Sequence, residues 1–180
     1  MPLNATDKAN ERESMNVLWA PWRMEYILGP KPGECVFCVP KHTDEDAERF
    51  ILYRGVHAYV IMNRYPYNNA HLMVTPFRHA SCLTELPAEE AHECMDLLQA
   101  SVRILNEAVH PQGINAGLNL GEAAGSGIAA HIHFQIVPRW NGDNSFMAVF
   151  SETRVVPEHL RATYDKLKPY FDALGQPGWR

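Results

Sequence analysis

Apolar and polar residues alternate along 131–137, where Ile132, Phe134 and Ile136 are interleaved with His131, His133 and Gln135. A β-strand puts alternate side chains on opposite faces. The pattern therefore predicts a strand at 131–138 with one face in the core and two imidazoles and an amide on the other. Shorter apolar runs at 50–53 and 57–62, separated by Arg54, Gly55 and Val56, predict a β-hairpin. Residues 71–76 predict a third strand and 114–120 a fourth, the latter joined to 131–138 by a loop with glycines at 121, 125 and 127. A different period governs 86–109. Leu86-Pro87-Ala88-Glu89-Glu90 opens it, with proline in the first turn and acids near the positive end of a helix dipole. Cys94, Leu98, Val102, Leu105 and Val109 then recur at spacings of three and four, which predicts an amphipathic helix. A second helix is expected at 157–174. Hairpin-linked strands with helices inserted as blocks predict an α+β fold of about five antiparallel strands and two main helices, not a doubly wound parallel sheet.

Composition narrows the classes. The 180 residues, 46% hydrophobic and 21% charged, are ordinary for one globular domain that needs no staples. Residues 1–17 are expected to form a flexible arm and 18–180 a single domain, anchored early by Leu18-Trp19-Ala20-Pro21-Trp22-Arg23 and a turn cluster at 29–33. A net charge of −5 disfavours a nucleic-acid polymer as partner. The polar N-terminus has no secretory core, and no apolar stretch is long enough for a membrane span. Four cysteines are too few for a disulfide scaffold. The expectation is a cytoplasmic protein with reduced thiols and no membrane contact.

Read alone, the candidate chemistry stays open. The histidine row fits a polar strand face as well as a site. The glycine loop fits an anion nest or a plain connection, and it is no dinucleotide fingerprint because a strand follows it where a helix should. Cys35-x-x-Cys38 fits a redox pair, two buried thiols, or half of a tetrahedral zinc site. By composition, the histidines at 71, 79, 131 and 133 also allow an open-metal hydrolase.

Taken together, several segments resemble the signature of the histidine-triad (HIT) superfamily. They are Asn119-Leu120-Gly121, Gly125-Ser126-Gly127, and His131-Ile132-His133-Phe134-Gln135-Ile136-Val137-Pro138-Arg139-Trp140. Upstream, Asn63 to His71 followed by Leu72-Met73-Val74-Thr75-Pro76 is similar to that superfamily's nucleotide-binding strand and loop. The Leu18–Arg23 segment and Asn141-Gly142-Asp143 resemble the branch of diadenosine tetraphosphate phosphorylases. The resemblance implies a nucleotidylyl transferase or phosphorylase acting on dinucleoside polyphosphates through a covalent nucleotidyl-histidine, with inorganic phosphate as acceptor. A hydrolase using water and a nucleotide-binding regulatory module without turnover are the alternatives. By the same resemblance the nucleophile falls on His133, with Gln135 beside it. Asn63 and His71 fall on the ribose and phosphate side, Asn119 anchors the loop, and Gly125, Ser126 and Gly127 cradle phosphate. Cys35, Cys38, His79 and His131 fall where zinc-binding members place a closed, structural site, and a homodimer is implied.

Gln135 departs from the three-histidine pattern and is similar to the His-x-His-x-Gln form of galactose-1-phosphate uridylyltransferases and some phosphorylases. An amide donates a hydrogen bond but no proton at neutral pH. Leaving groups that depart as stable anions need none, whereas an amine does. Arg139 and Trp140 are candidates for phosphate contact or packing. Cys82 and Cys94 are expected to pack, and His42, His57, His92, His110 and His159 to lie at the surface without a role.

Overall fold

The computed structural model describes residues 35–40, 44–143 and 158–174. The expected arm, the Leu18–Arg23 anchor, the turn at 29–33, His42 and the first residue of the C-terminal helix lie outside the described residues. Five strands form one antiparallel sheet: β1 (Ile51–Arg54), β2 (Ala58–Met62), β3 (Leu72–Pro76), β4 (Gly113–Leu118) and β5 (Phe134–Arg139). Their order across the sheet is β1-β2-β3-β5-β4. A one-turn helix α1 (Asp46–Arg49) precedes β1, and the two main helices are α2 (Ala88–Val109) and α3 (Leu160–Asp172). The expected α+β architecture holds.

Strand alternation divides the residues between two packed faces. On one side Ala58, Val60, Met62, Leu72, Val74, Phe134 and Ile136 meet Cys94, Leu97, Ile104, Leu105, Tyr164, Leu167 and Phe171 from the helices. On the other side Ile51, Tyr59, Ile61 and Met73 form a smaller cluster, covered by Phe37 and Val39. Segment 35–40 thus does for the second face what the helices do for the first. Gln135 pairs in register with Met73 and with Gly117, on this helix-free face. A side chain added at Gly117 would meet nothing within 4 Å among the described residues, which leave the sheet uncovered beside Gln135.

Two expectations need correction. The buried seam of α2 runs through Cys94, Leu97, Ser101, Ile104 and Leu105, while Leu98, Val102 and Val109 flank it half-buried. A helix turns 3.6 residues, so a seam this long drifts off a strict four-residue step. The last strand starts at Phe134 and not at His131. The reason is a long-range bond: the Ile132 N–H donates to the Ala80 carbonyl at 2.7 Å, which draws this residue out of the β3–β5 ladder. Ile132 is buried but stands outside the main core cluster.

The β1–β2 turn depends on a glycine. The Glu93 carboxylate accepts the N–H groups of Val56 and His57 at 2.7 and 2.6 Å, tying the hairpin to α2. A Cβ at Gly55 would lie 2.0 Å from Glu93 Oε1 and 3.0 Å from the Ala58 carbonyl oxygen. Gly55→Ala evicts that carboxylate and strands two amides, costing about 1–3 kcal/mol. A urea midpoint lowered at unchanged slope checks this.

Candidate active site

His131 links the sheet to the cysteine segment. It is fully buried, and its Nε2 donates to the Pro76 carbonyl at 2.9 Å. The proton is therefore on Nε2, and the Nδ1 lone pair faces Cys35 Sγ at 3.4 Å and Cys38 Sγ at 3.7 Å. His79 Nδ1 approaches Cys38 Sγ at 3.1 Å. The four ligand atoms lie within 4.8 Å of one another, although the residues come from three distant parts of the chain. Local bonds explain how they meet. Arg78 makes two hydrogen bonds to Glu90 at the start of α2, at 2.8 and 2.9 Å, and so fixes the residue before His79. The Ala80 carbonyl, one residue after His79, receives the amide between His131 and His133.

His133 is buried, and its Nδ1 donates to the His131 carbonyl at 2.9 Å. Burial lowers its pKa from the ordinary value, outweighing that bond, so the ring is neutral at pH 7 with its lone pair on Nε2. A neutral imidazole with a fixed tautomer is a nucleophile. Gln135 follows two positions on, half-buried on the same face.

The 119–127 loop is built as the glycines require, at two of three positions. Gly121 and Gly125 have φ of +80° and +84°, where a side chain strains the backbone, and Gly127 does not share this need. Asn119 Nδ2 reaches the Gly125 carbonyl at 3.4 Å. The Ser126 N–H donates inside the turn, to the Gly121 carbonyl at 3.3 Å. Its buried Oγ has no hydrogen-bond partner among the described residues.

His71 is buried at the mouth of β3, and its Nδ1 accepts the Tyr67 N–H at 3.1 Å, which puts the ring proton on Nε2. Asn63 both closes a turn, accepting the Tyr65 N–H at 2.9 Å, and approaches His71 Nδ1 at 3.4 Å. Arg139 is engaged elsewhere, with two bonds to Asp143 at 2.6 and 2.9 Å and one to Asn115 at 2.9 Å. Asn68 also donates to Asp143 at 2.8 Å, which ties the 63–71 loop to the end of β5. Arg139 thus packs and positions. Hydrogen bonds from Arg139 hold the Asp143 carboxyl down at about 2, below the ordinary 3.8. A carboxyl lowered in the fold stabilises above its unfolded pKa, and that stability is lost as pH falls through the folded one. Asp143→Asn therefore lowers Tm at pH 7, and the gap from wild type closes as pH falls from about 4 towards 2.

A family model for the HIT domain matches residues 44–142. The chain belongs to the HIT domain family. The AP-4-A phosphorylase of Mycobacterium tuberculosis is 36% identical over 163 residues, covering 85% of this HIT chain and 83% of its own. The adenosine 5'-monophosphoramidase of Schizosaccharomyces pombe is 26% identical over 133 residues, 74% of this chain and 95% of its own. A crystal structure of a Zn-bound histidine triad family protein from Mycobacterium smegmatis matches with a TM-score of 0.62 at 27% identity, covering 78% of this chain and 95% of that one. The expected enzyme class, a HIT-family nucleotidyltransferase or hydrolase, holds.

The HIT site contains residues that sequence patterning did not single out. Phe37 packs on the His133 ring, with centroids 4.8 Å apart. Tyr67 stacks on His71 at 4.8 Å, and Tyr59 donates its hydroxyl to the Phe37 carbonyl at 2.8 Å. His159, expected to have no role, caps α3 by accepting the Arg161 N–H. Cys94 packs as expected, its thiol pushed up to about 12 by burial. Cys82 instead is half-buried outside both clusters, with the Thr84 hydroxyl donating to its sulfur.

Proposed function

We propose that this HIT protein transfers nucleotidyl groups from dinucleoside polyphosphates such as diadenosine tetraphosphate to inorganic phosphate, through a covalent intermediate on His133. The observation that carries the reading is the buried, neutral His133 whose Nδ1 proton is fixed on the His131 carbonyl, leaving Nε2 as the attacking atom. Similarity to the mycobacterial phosphorylase supports the substrate class.

His133 Nε2 attacks an α-phosphorus; the new N–P bond forms as the P–O bond to the leaving ATP breaks. ATP departs as a stable anion and requires no proton, which suits Gln135. A phosphate oxygen then attacks the adenylyl phosphorus, the N–P bond breaks, and ADP leaves with His133 restored. The Gln135 amide, the Ser126 hydroxyl and the His71 Nε2–H supply donors for the phosphoryl oxygens. Asn119, Gly125 and Gly127 shape the loop, and Asn63 serves the ribose.

Zinc suits the cysteine–histidine cluster. A tetrahedral ion with Zn–S of about 2.3 Å and Zn–N of about 2.0 Å sets neighbouring ligand atoms about 3.3–3.8 Å apart. The contacts of His131 with Cys35 and Cys38, at 3.4 and 3.7 Å, fall in that range, and that of His79 with Cys38, at 3.1 Å, is slightly shorter. Cys35, Cys38, His79 and His131 would fill all four positions, so the ion's contribution is structural: it joins segment 35–40 to the His131 that holds His133.

We assign a homodimer paired along β4. This edge strand, Gly113–Leu118, is mostly exposed, carries no charge, and pairs only with β5 among the described residues. Such an edge is an open template for a second copy. No helix among the described residues is long and apolar enough to cross a membrane, and we place the protein in the cytoplasm, where its thiols stay reduced.

Product analysis with diadenosine tetraphosphate tests the reading. ATP plus ADP, formed only when phosphate is supplied, is the expected outcome. ATP plus AMP without phosphate makes the protein a hydrolase instead. Adenosine phosphoramidate is expected to turn over at least about 10²-fold more slowly than the polyphosphate, because general-acid help to the amine is missing. Equal rates on the two substrates count against that assignment of Gln135.

A further inference from the structure

We infer that Phe37 is a positioning residue for His133, pressed against its ring by the segment that Cys35, Cys38 and Tyr59 hold. The inference rests on reading His133 as the nucleophile. The bond from His133 Nδ1 to the His131 carbonyl fixes one edge of the imidazole, and a single hydrogen bond leaves the ring free to pivot about it. Phe37 removes the pivot. Its ring lies 4.8 Å from that of His133 at a tilt of 40°, and 5.6 Å from that of His131 edge-on at 69°. Both separations are those of packed aromatic pairs.

Phe37 is itself held on every side. It is 5% exposed and belongs to the smaller core cluster with Tyr59, Ile61 and Met73. Its carbonyl accepts the fully buried Tyr59 hydroxyl at 2.8 Å and the Val39 N–H at 3.0 Å. The turn around it is closed by the Cys38 N–H on the Cys35 carbonyl at 3.0 Å, and the two thiols flanking it face His131 and His79. The cysteine cluster therefore reaches the nucleophile by two routes, through the His131 backbone and through the Phe37 ring.

The test compares wild type with Phe37→Leu, which keeps apolar bulk but loses the flat face, and with Tyr59→Phe, which removes the hydroxyl anchor and leaves both rings in place. Three quantities are read: kcat with diadenosine tetraphosphate and phosphate, the Kd for AMP, and the His133 ring signals in nitrogen-15 NMR spectra. Phe37→Leu is expected to lower kcat about tenfold or more while the AMP Kd stays within about twofold, as for lost orientation and not lost binding. In the same variant the His133 Nδ1 proton exchanges faster, and Tyr59→Phe shifts it in the same direction. Wild-type kcat together with unchanged His133 signals in both variants overturns the proposal. So does a loss of AMP affinity that matches the loss of turnover with His133 signals unchanged, since Phe37 is then only a wall of the nucleotide pocket. A His133→Ala variant that keeps turnover overturns the nucleophile reading instead, and the ring signals decide the Phe37 contact separately.

Discussion

His133→Ala lowers turnover of diadenosine tetraphosphate by about 10³-fold or more, the largest effect of any single substitution here. The methyl group keeps the chain in place but removes the only ring nitrogen argued to bond phosphorus. The folded state loses one hydrogen bond, to the His131 carbonyl, and the packing against Phe37, a cost of about 1–3 kcal/mol. Activity and stability therefore separate. A variant with a cooperative thermal transition, retained AMP binding and no turnover is the expected outcome. Turnover within about tenfold of wild type contradicts the covalent route.

Loss of the cysteine–histidine cluster is the second large effect. Cys35 and Cys38 lie on a segment that is also held by the Tyr59 hydroxyl on the Phe37 carbonyl, by Arg54 on the Pro40 carbonyl at 2.6 Å, and by one face of packed side chains. A zinc held by all four side chains would join that segment to His79 after β3 and to His131 before β5. Purified protein is expected to hold one zinc per chain, and Cys38→Ser or chelation to lower Tm by about 10 °C. That figure follows if the site is worth several kcal/mol, each moving the midpoint of a chain this size by about 2–4 °C. Because His131 also positions His133, kcat falls with the metal. Protein that carries no metal, with Tm unmoved by chelator, contradicts the assignment. Survival of activity in His133→Ala together with dependence on added divalent metal supports an open-metal hydrolase instead.

The strands and helices were legible because their periods are physical: Tyr59 and Ile61 alternate with Ala58, Val60 and Met62 on opposite faces of β2, as a pleat demands. His133 and Gln135 kept that alternation. His131 broke it, since its neighbour's amide goes to Ala80 in a different part of the chain, a bond that no local pattern announces. Periodicity could not join Cys35 and Cys38 to His79 and His131 either, because the ligands are 41 to 96 residues apart and only the fold brings them together. Resemblance to the HIT signature supplied that grouping. Phe37 escaped both kinds of reading. An apolar residue between two cysteines gives no sign of which ring it will meet. Ser126 also carried a weak local signal: it is a small polar residue between Gly125 and Gly127, and Gly125 takes a positive φ, as in loops that let a ligand come close.

The central claim is that the nucleotidyl group rests on His133. Wild-type protein mixed with diadenosine tetraphosphate in the absence of phosphate, quenched at neutral or alkaline pH and digested, tests it by mass spectrometry. One adenylyl group on the peptide containing His133, formed with a matching release of ATP and discharged as ADP on adding phosphate, is the predicted result. Unmodified peptide under conditions where the enzyme turns over, with full activity in His133→Ala, contradicts the account.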